Sequence, residues 1–182
     1  MTKIFFVTEN SYKFKDAKDH AGKIGFDVVQ KKLKIKEIQS GSIEDIAKNK
    51  ARQAFEILKK PLVVTDSGWN IPSLKGFPGP YMHYINQWFD AEDFLKLMKG
   101  RKDRSIILEY VICAASSKGL KIFKKTFNGK FINHPKGSGL PSDRVVILGK
   151  NKYTIAERQK NDNGSVDNDD LWKKVYQWSK TV

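Results

Sequence analysis

The feature that most constrains this chain is its opening. A short apolar run, Ile4-Phe5-Phe6-Val7, stops abruptly at the polar residues Thr8-Glu9-Asn10. A helical pattern follows over residues 10–22, with Phe14, Ala17 and Ala21 on one face. A buried strand that turns directly into an amphipathic helix commits the chain to an α/β arrangement. It also places polar groups at a strand end, where α/β proteins build their sites.

The same alternation continues. Residues 26–29 and 33–36 read as short strands, and Ser42 opens a helix running to residue 58. The apolar face of that helix carries Ile43, Ile46, Ala47, Ala51, Ala54, Phe55 and Leu58. Residues 62–65 form an apolar strand ending in Asp66-Ser67-Gly68, a polar turn. Residues 69–74 are expected to be extended, residues 75–80 form a Gly/Pro loop, and residues 90–99 form a capped helix. A long strand over 105–115 turns at Ser116-Ser117-Lys118-Gly119 into a second strand over 120–131. Within it, Asn128-Gly129 reads as a tight turn. Residues 145–148 form a strand and residues 169–180 a terminal helix. Alternation early and a meander late predict a mixed α/β fold over residues 1–182.

Composition narrows the class. The chain has 182 residues with 4 Trp, 6 Tyr and 11 Phe, enough to pack a core without staples. Cys113 is the only cysteine, which excludes an internal disulfide framework and predicts a cytosolic location. It lies in an apolar run and reads as a buried structural thiol. His20, His83 and His134 do not follow a zinc-ligand spacing. No apolar run is long enough to span a membrane. The net charge of +14 comes mostly from scattered lysines, a pattern suited either to a solvated surface or to a polyanionic ligand.

Four segments carry chemistry. In Thr8-Glu9-Asn10-Ser11-Tyr12-Lys13, backbone N–H groups at a helix start suit a phosphate, and Lys13 adds a charge one turn in. Plain helix capping explains the same residues. Glu37-Ile38-Gln39 is followed by Glu44-Asp45, where carboxylates at a helix start suit either Mg²⁺ or the helix dipole. Asp66 at a strand end, before Ser67-Gly68, suits metal binding or base chemistry, and equally an Asx turn. Gly76-Phe77-Pro78-Gly79-Pro80-Tyr81 is a rigid loop and not a Walker A motif.

In this order and spacing, the four segments resemble the Ham1/ITPase family of non-canonical purine nucleoside-triphosphate pyrophosphatases. The resemblance implies an ITPase-like fold, an elongated mixed sheet with two lobes flanking a central cleft. It also implies a homodimer and Mg²⁺-dependent hydrolysis of a nucleoside triphosphate to the monophosphate and pyrophosphate, with Mn²⁺ as an alternative metal. Carried over, Thr8, Asn10 and Lys13 meet the triphosphate. Asp45, with Glu44 beside it, and Asp66 hold the metal. Asp66, Lys13 and Asp45 form the catalytic set, and Ser67 and Gly68 line the phosphate end. Lys136 and Asp143 join the substrate contacts, and the loop over 76–81 lies near the dimer contact.

The second half departs from the pattern. Where the family carries PRGxxGFGYDP, this chain has Pro135-Lys136-Gly137-Ser138-Gly139-Leu140-Pro141-Ser142-Asp143. Leu140 and Ser142 replace two aromatic residues, and base stacking is typically worth about 1–3 kcal/mol. The Ser-His-Arg motif is absent, with Lys160 or Lys152 as substitutes for a lost lysine. Retention of Asn10, Lys13, Asp45 and Asp66 favours an active enzyme with an altered base pocket over a decayed one. The rivals are a nucleotide-binding protein without catalysis and, ranked last, a nucleic-acid-binding module, for which no RNP, zinc-finger or helix-turn-helix signature exists.

Overall fold

The structure is a computed structural model that describes residues 3–162 and 166–182, the side chains of residues 160–162 aside. Lys160, one of the two substitutes expected for the lost lysine, and residues 163–165 therefore lie outside what is described. The chain forms two compact units. One contains the chain through Ser67, Tyr110–Lys125 and Asp167–Val182; the other contains Gly68–Glu109 and Thr126–Val166.

In the first unit, β1 (Lys3–Val7) pairs in parallel with β2 (Asp27–Lys31) and with β3 (Leu62–Asn70). β5 (Ser105–Ser116) neighbours β3, and β6 (Gly119–Phe131) neighbours β5. Alternation on β1 sorts its side chains to two faces. Val7 joins Leu62, Val64, Val111, Cys113 and Ala115 beneath α2 (Ile43–Leu58). Phe6, fully buried, meets Phe14 of α1 (Ser11–Gly22) and the ring of Trp172 of α6 (Asp169–Ser179), edge-on at 6.0 Å. Three buried alanines of α2, Ala47, Ala51 and Ala54, let its backbone approach the sheet closely. Ile43 and Ile46 add the larger contacts, each stabilising by about 1.5–3 kcal/mol when fully buried.

Both helices begin where their caps dictate. Asn10 Oδ1 accepts the Lys13 N–H at 3.0 Å, and Ser42 Oγ accepts the Asp45 N–H at 3.1 Å. Each satisfies an orphan donor of the first turn.

In the second unit, β4 (Pro78–Gly79) pairs antiparallel with the end of β3, and β7 (Val146–Leu148) pairs antiparallel with the end of β6. The helices α3 (Met82–Trp88), α4 (Ala91–Leu97) and α5 (Ile155–Asp162) belong to this unit. Its core gathers Ile71, Phe94, Met98, Ile106, Phe131 and Val146. Asp90 and Asp93 close a reciprocal capping box on α4, as the sequence leads one to expect. Gly137 is required by a close approach: a Cβ there would stand 2.8 Å from the Glu157 backbone nitrogen at the start of α5.

The mixed α/β expectation holds, with parallel and antiparallel pairings in the sheet. Four local expectations do not. Residues 33–36 form no strand, because the backbone of Lys36 is taken by Gln53, whose amide donates to its carbonyl at 2.8 Å and accepts its N–H at 3.3 Å. Asp66-Ser67-Gly68 is not a turn: β3 runs straight through it, because Trp69 and Asn70 find partners in Gly79 and Pro78. The extended stretch expected over 69–74 ends early, as Pro72–Leu74 is a 3₁₀ turn. Asn128-Gly129 is strand as well. Gly129 pairs with Leu148, and a Cβ there would meet the Ile147 carbonyl oxygen at 2.7 Å.

Candidate functional site

The site grows from three elements of the first unit that end or pass close together. β1 delivers Thr8, whose Oγ1 accepts the Asn10 N–H at 3.1 Å and whose carbonyl accepts the Gln30 amide at 3.1 Å. These bonds define the bend between strand and helix. One turn into α1, Lys13 Nζ reaches the Thr65 carbonyl at 3.5 Å and Asp66 Oδ1 at 3.6 Å. From α2, Lys50 Nζ donates to Asp66 Oδ2 at 3.0 Å and lies 2.7 Å from Glu37 Oε1. The Ser67 N–H also donates to Asp66 Oδ1 at 3.0 Å.

Two ammonium groups and two carboxylates thus alternate in the order Lys13, Asp66, Lys50, Glu37. The side chains of Asp66 and Lys50 are mostly buried, at 15% and 16% exposure, whereas Glu37 is 62% exposed. Burial on its own would raise the Asp66 carboxyl, but the charges of Lys13 and Lys50 outweigh it and hold the pKa below the usual value. Burial opposes the charge on Lys50 as well, yet Asp66 and Glu37 overcome it and raise the amine. Lys13 behaves differently: its burial outweighs Asp66 and lowers its pKa. An additional anion beside Lys13 and Lys50 would meet two partly desolvated cations, where electrostatic contacts are stronger than at an open surface.

Glu37 and Lys50 fall within the second sequence motif, which runs on from Glu37 to Lys50-Ala51, but neither is given a role in the site set carried over from the family. A signal existed for Lys50, which falls three residues after the buried Ala47 and four after the buried Ile46. A lysine on that flank is carried toward the core side of the helix. Glu37 lies in an irregular segment, and its contact with Lys50 joins it to Asp66.

The other sequence candidates sit as follows. Glu44, in the first turn of α2, is held by Lys48 at 2.6 Å and Lys124 at 3.2 Å, hydrogen bonds that lower its pKa. Asp45 is exposed in the same turn. Among the described residues, no group of three or more His, Cys, Asp or Glu side chains gathers as a metal cluster. The acid that shares a cation with Asp66 is Glu37.

Gly68, Lys136 and Asp143 belong to the second unit. Gly68 is buried within β3, and Lys136 is exposed, its N–H bonded to the Arg144 carbonyl at 2.8 Å. Asp143 is 9% exposed and accepts the Gln159 amide at 2.8 Å, with Ser142 Oγ at 3.4 Å. Burial pushes its carboxyl up to about 6, against the weaker pull of Ser142. Gln159 had no signal in the sequence.

Comparison with known proteins identifies the family. The Ham1 family model matches residues 4–167. The chain is 37% identical over 141 residues to a Methanosarcina mazei protein named dITP/XTP pyrophosphatase, with 76% of each chain covered. It is 34% identical over 157 residues to a Methanopyrus kandleri protein of the same name, covering 85% of this chain and 84% of that one. Among solved structures, a Coxiella burnetii HAM1 protein superposes with a TM-score of 0.78 at 18% identity, covering 100% of this chain and 98% of that one. The Staphylococcus aureus Ham1 protein gives 0.75 at 22% identity, with 97% and 96% covered. A match spanning nearly the whole chain, shared with relatives above 30% identity, places this protein in the Ham1 family.

Proposed function

We propose that this protein is a nucleoside-triphosphate pyrophosphatase that cleaves a non-canonical purine nucleotide, of the dITP and XTP class, to the monophosphate and pyrophosphate. The observation that carries the reading is the Lys13–Asp66–Lys50–Glu37 cluster beside the start of α1. Phosphoryl transfer asks a protein chiefly for positioning and charge neutralisation, and this cluster offers both.

Lys13 and Lys50 bind the polyphosphate, aided by the N–H groups at the α1 N-terminus. As they turn to the phosphates, Asp66 and Glu37 are released from their ammonium partners. Both carboxylates already converge on a single cation, the Lys50 ammonium, at 3.0 and 2.7 Å. Oxygen donors of this kind fit Mg²⁺, or Mn²⁺ in its place. Asp66 and Glu37 would hold such an ion, which would supply neutralisation of phosphate charge and Lewis acidity. The Asp66 carboxylate orients the attacking water, whose proton passes to solvent. The water oxygen bonds to the α-phosphorus, the bond to the bridging oxygen breaks, and pyrophosphate leaves.

We further propose a homodimer, supported by the exposed aromatic face of α3. Tyr84 is 52% and Trp88 71% exposed, their rings 6.1 Å apart. Sedimentation of the intact protein against Trp88→Ala tests it, and a monomer in both removes the idea.

The direct test of activity measures pyrophosphate release with Mg²⁺ over a panel including dITP, XTP, ITP, dATP and GTP. Release is expected first from the non-canonical purines. If no nucleotide is hydrolysed while nucleotides still raise the melting temperature, the protein is a binder and the proposal fails.

A further inference from the structure

In the first unit, β5 runs beside β3, and Val111 and Val64 of the two strands both pack beneath α2. Alternation turns Tyr110 and Thr65 to the opposite face, the one on which Phe6 meets Phe14 of α1 and Trp172 of α6. Tyr110 is 7% and Thr65 3% exposed, and neither hydroxyl has a hydrogen-bond partner among the described residues. A buried hydroxyl without a partner is costly, and a side chain that only fills space does without one. Packing therefore accounts for the Tyr110 ring and leaves its hydroxyl unexplained.

The surroundings of that hydroxyl connect it to the site. Burial above all, then the charge of Asp16, with a smaller push from Asp66, raise the phenol well above its ordinary range against the pull of the neighbouring Thr65 hydroxyl. The phenol thus stays protonated and remains a donor. Thr65 and Asp16 are also the two residues that flank Lys13. The Thr65 carbonyl accepts from Lys13 Nζ at 3.5 Å. Asp16 follows Lys13 by one turn on α1, and its Oδ1 lies 3.4 Å from His20 Nε2, so its carboxylate is turned to the inner side of the helix. One water bound between the two hydroxyls and the Asp16 carboxylate has three polar partners, the usual complement of an internal water. Such a bridge ties α1 to β3 next to Lys13.

We propose that Tyr110 is a positioning residue for Lys13: its phenol, through one bound water, joins Thr65 of β3 to Asp16 of α1 and so fixes where the lysine ammonium stands. The inference rests on the reading of Lys13 as a phosphate-binding residue.

The test removes each hydroxyl with little change of shape, in Tyr110→Phe, Thr65→Val and the double variant of the intact protein. Two quantities are read without turnover. One is the affinity for inorganic pyrophosphate by calorimetry without divalent metal. The other is the titration of the Lys13 ammonium by NMR of protein carrying carbon-labelled lysine, its signal identified by its loss in Lys13→Arg. Each single variant is expected to bind pyrophosphate about two- to tenfold more weakly, the range that one hydrogen bond spans. The double variant is expected to lose no more than either single one, because both hydroxyls serve one link. The Lys13 amine, lowered chiefly by burial, is expected to move up toward 10.5 as its surroundings loosen. Wild-type affinity and an unmoved Lys13 titration in Tyr110→Phe overturn the proposal, whatever the melting temperature does. So do losses that multiply in the double variant, which would make the two hydroxyls independent. If the wild type binds no pyrophosphate, the pyrophosphatase reading falls, and the Lys13 titration in Tyr110→Phe still decides the role of Tyr110.

Discussion

The ammonium of Lys50 lies 3.0 Å from Asp66 Oδ2, joining the third turn of α2 to the middle of β3. Sixteen residues separate the two in sequence. Their contact turns an acid on a strand into the hub of a four-charge cluster.

Asp66→Asn should abolish measurable pyrophosphate release, by analogy with the roughly 10²–10³-fold cost of losing one preorganised polar group at a reacting centre. Glu37→Gln should lower activity comparably while leaving the melting temperature nearly unchanged, because Glu37 is 62% exposed and surface ion pairs are worth about 0–1 kcal/mol. A Glu37→Gln protein with wild-type kcat and metal dependence would remove Glu37 from the site.

Asp143 should make stability depend on pH in an unusual direction. Burial raises its carboxyl from 3.8 to about 6, so the native protein keeps a proton that the unfolded chain has released. Its contribution to stability is therefore greatest below 3.8 and is lost as pH rises through about 6. Asp143→Asn, which removes the charge, should stabilise the fold at pH 7.5 by on the order of 1–3 kcal/mol relative to its effect at pH 4. Urea unfolding at the two pH values measures this, and an equal effect at both would contradict it.

His20 should act in the neutral to alkaline range. It is 4% exposed, its Nδ1 lies 2.5 Å from Asp169 Oδ1, and its Nε2 lies 3.4 Å from Asp16. Burial opposes its charge, but the two carboxylates outweigh burial and raise its pKa above 6.5. The stability it contributes is full below 6.5 and disappears as pH climbs through the raised folded value. The stability gap between the wild type and His20→Gln should shrink between pH 6 and pH 9. A constant gap would mean that His20 contributes through packing only.

Gly129→Ala should destabilise the second unit by about 1–3 kcal/mol, the range for overpacking, because the new methyl meets the Ile147 carbonyl oxygen at 2.7 Å and Leu148 Cδ2 at 2.8 Å. Thermal unfolding checks it. The same substitution at Gly41, where a Cβ meets nothing within 4 Å, serves as the control.

Features that depend on neighbours a few residues away are legible in the amino-acid order alone. Asn10, Ser42 and Asp90 announce their helices because each cap bonds a backbone N–H three residues on. The apolar periodicity of α2 marks its buried face, and the ordered motifs around Lys13 and Asp66 identify the family. Tertiary structure decided what depends on residues far apart in the chain. Residues 33–36 looked like a strand until Gln53 took the backbone of Lys36. Asp66 looked like the edge of a turn until β4 drew β3 onward through it. Lys50 and Glu37 stand thirteen residues apart in one motif without a site role, until the fold sets them 2.7 Å apart beside Asp66. Caps and periodicity act within a turn or two of chain, whereas a charge cluster exists only once strands and helices have chosen their neighbours.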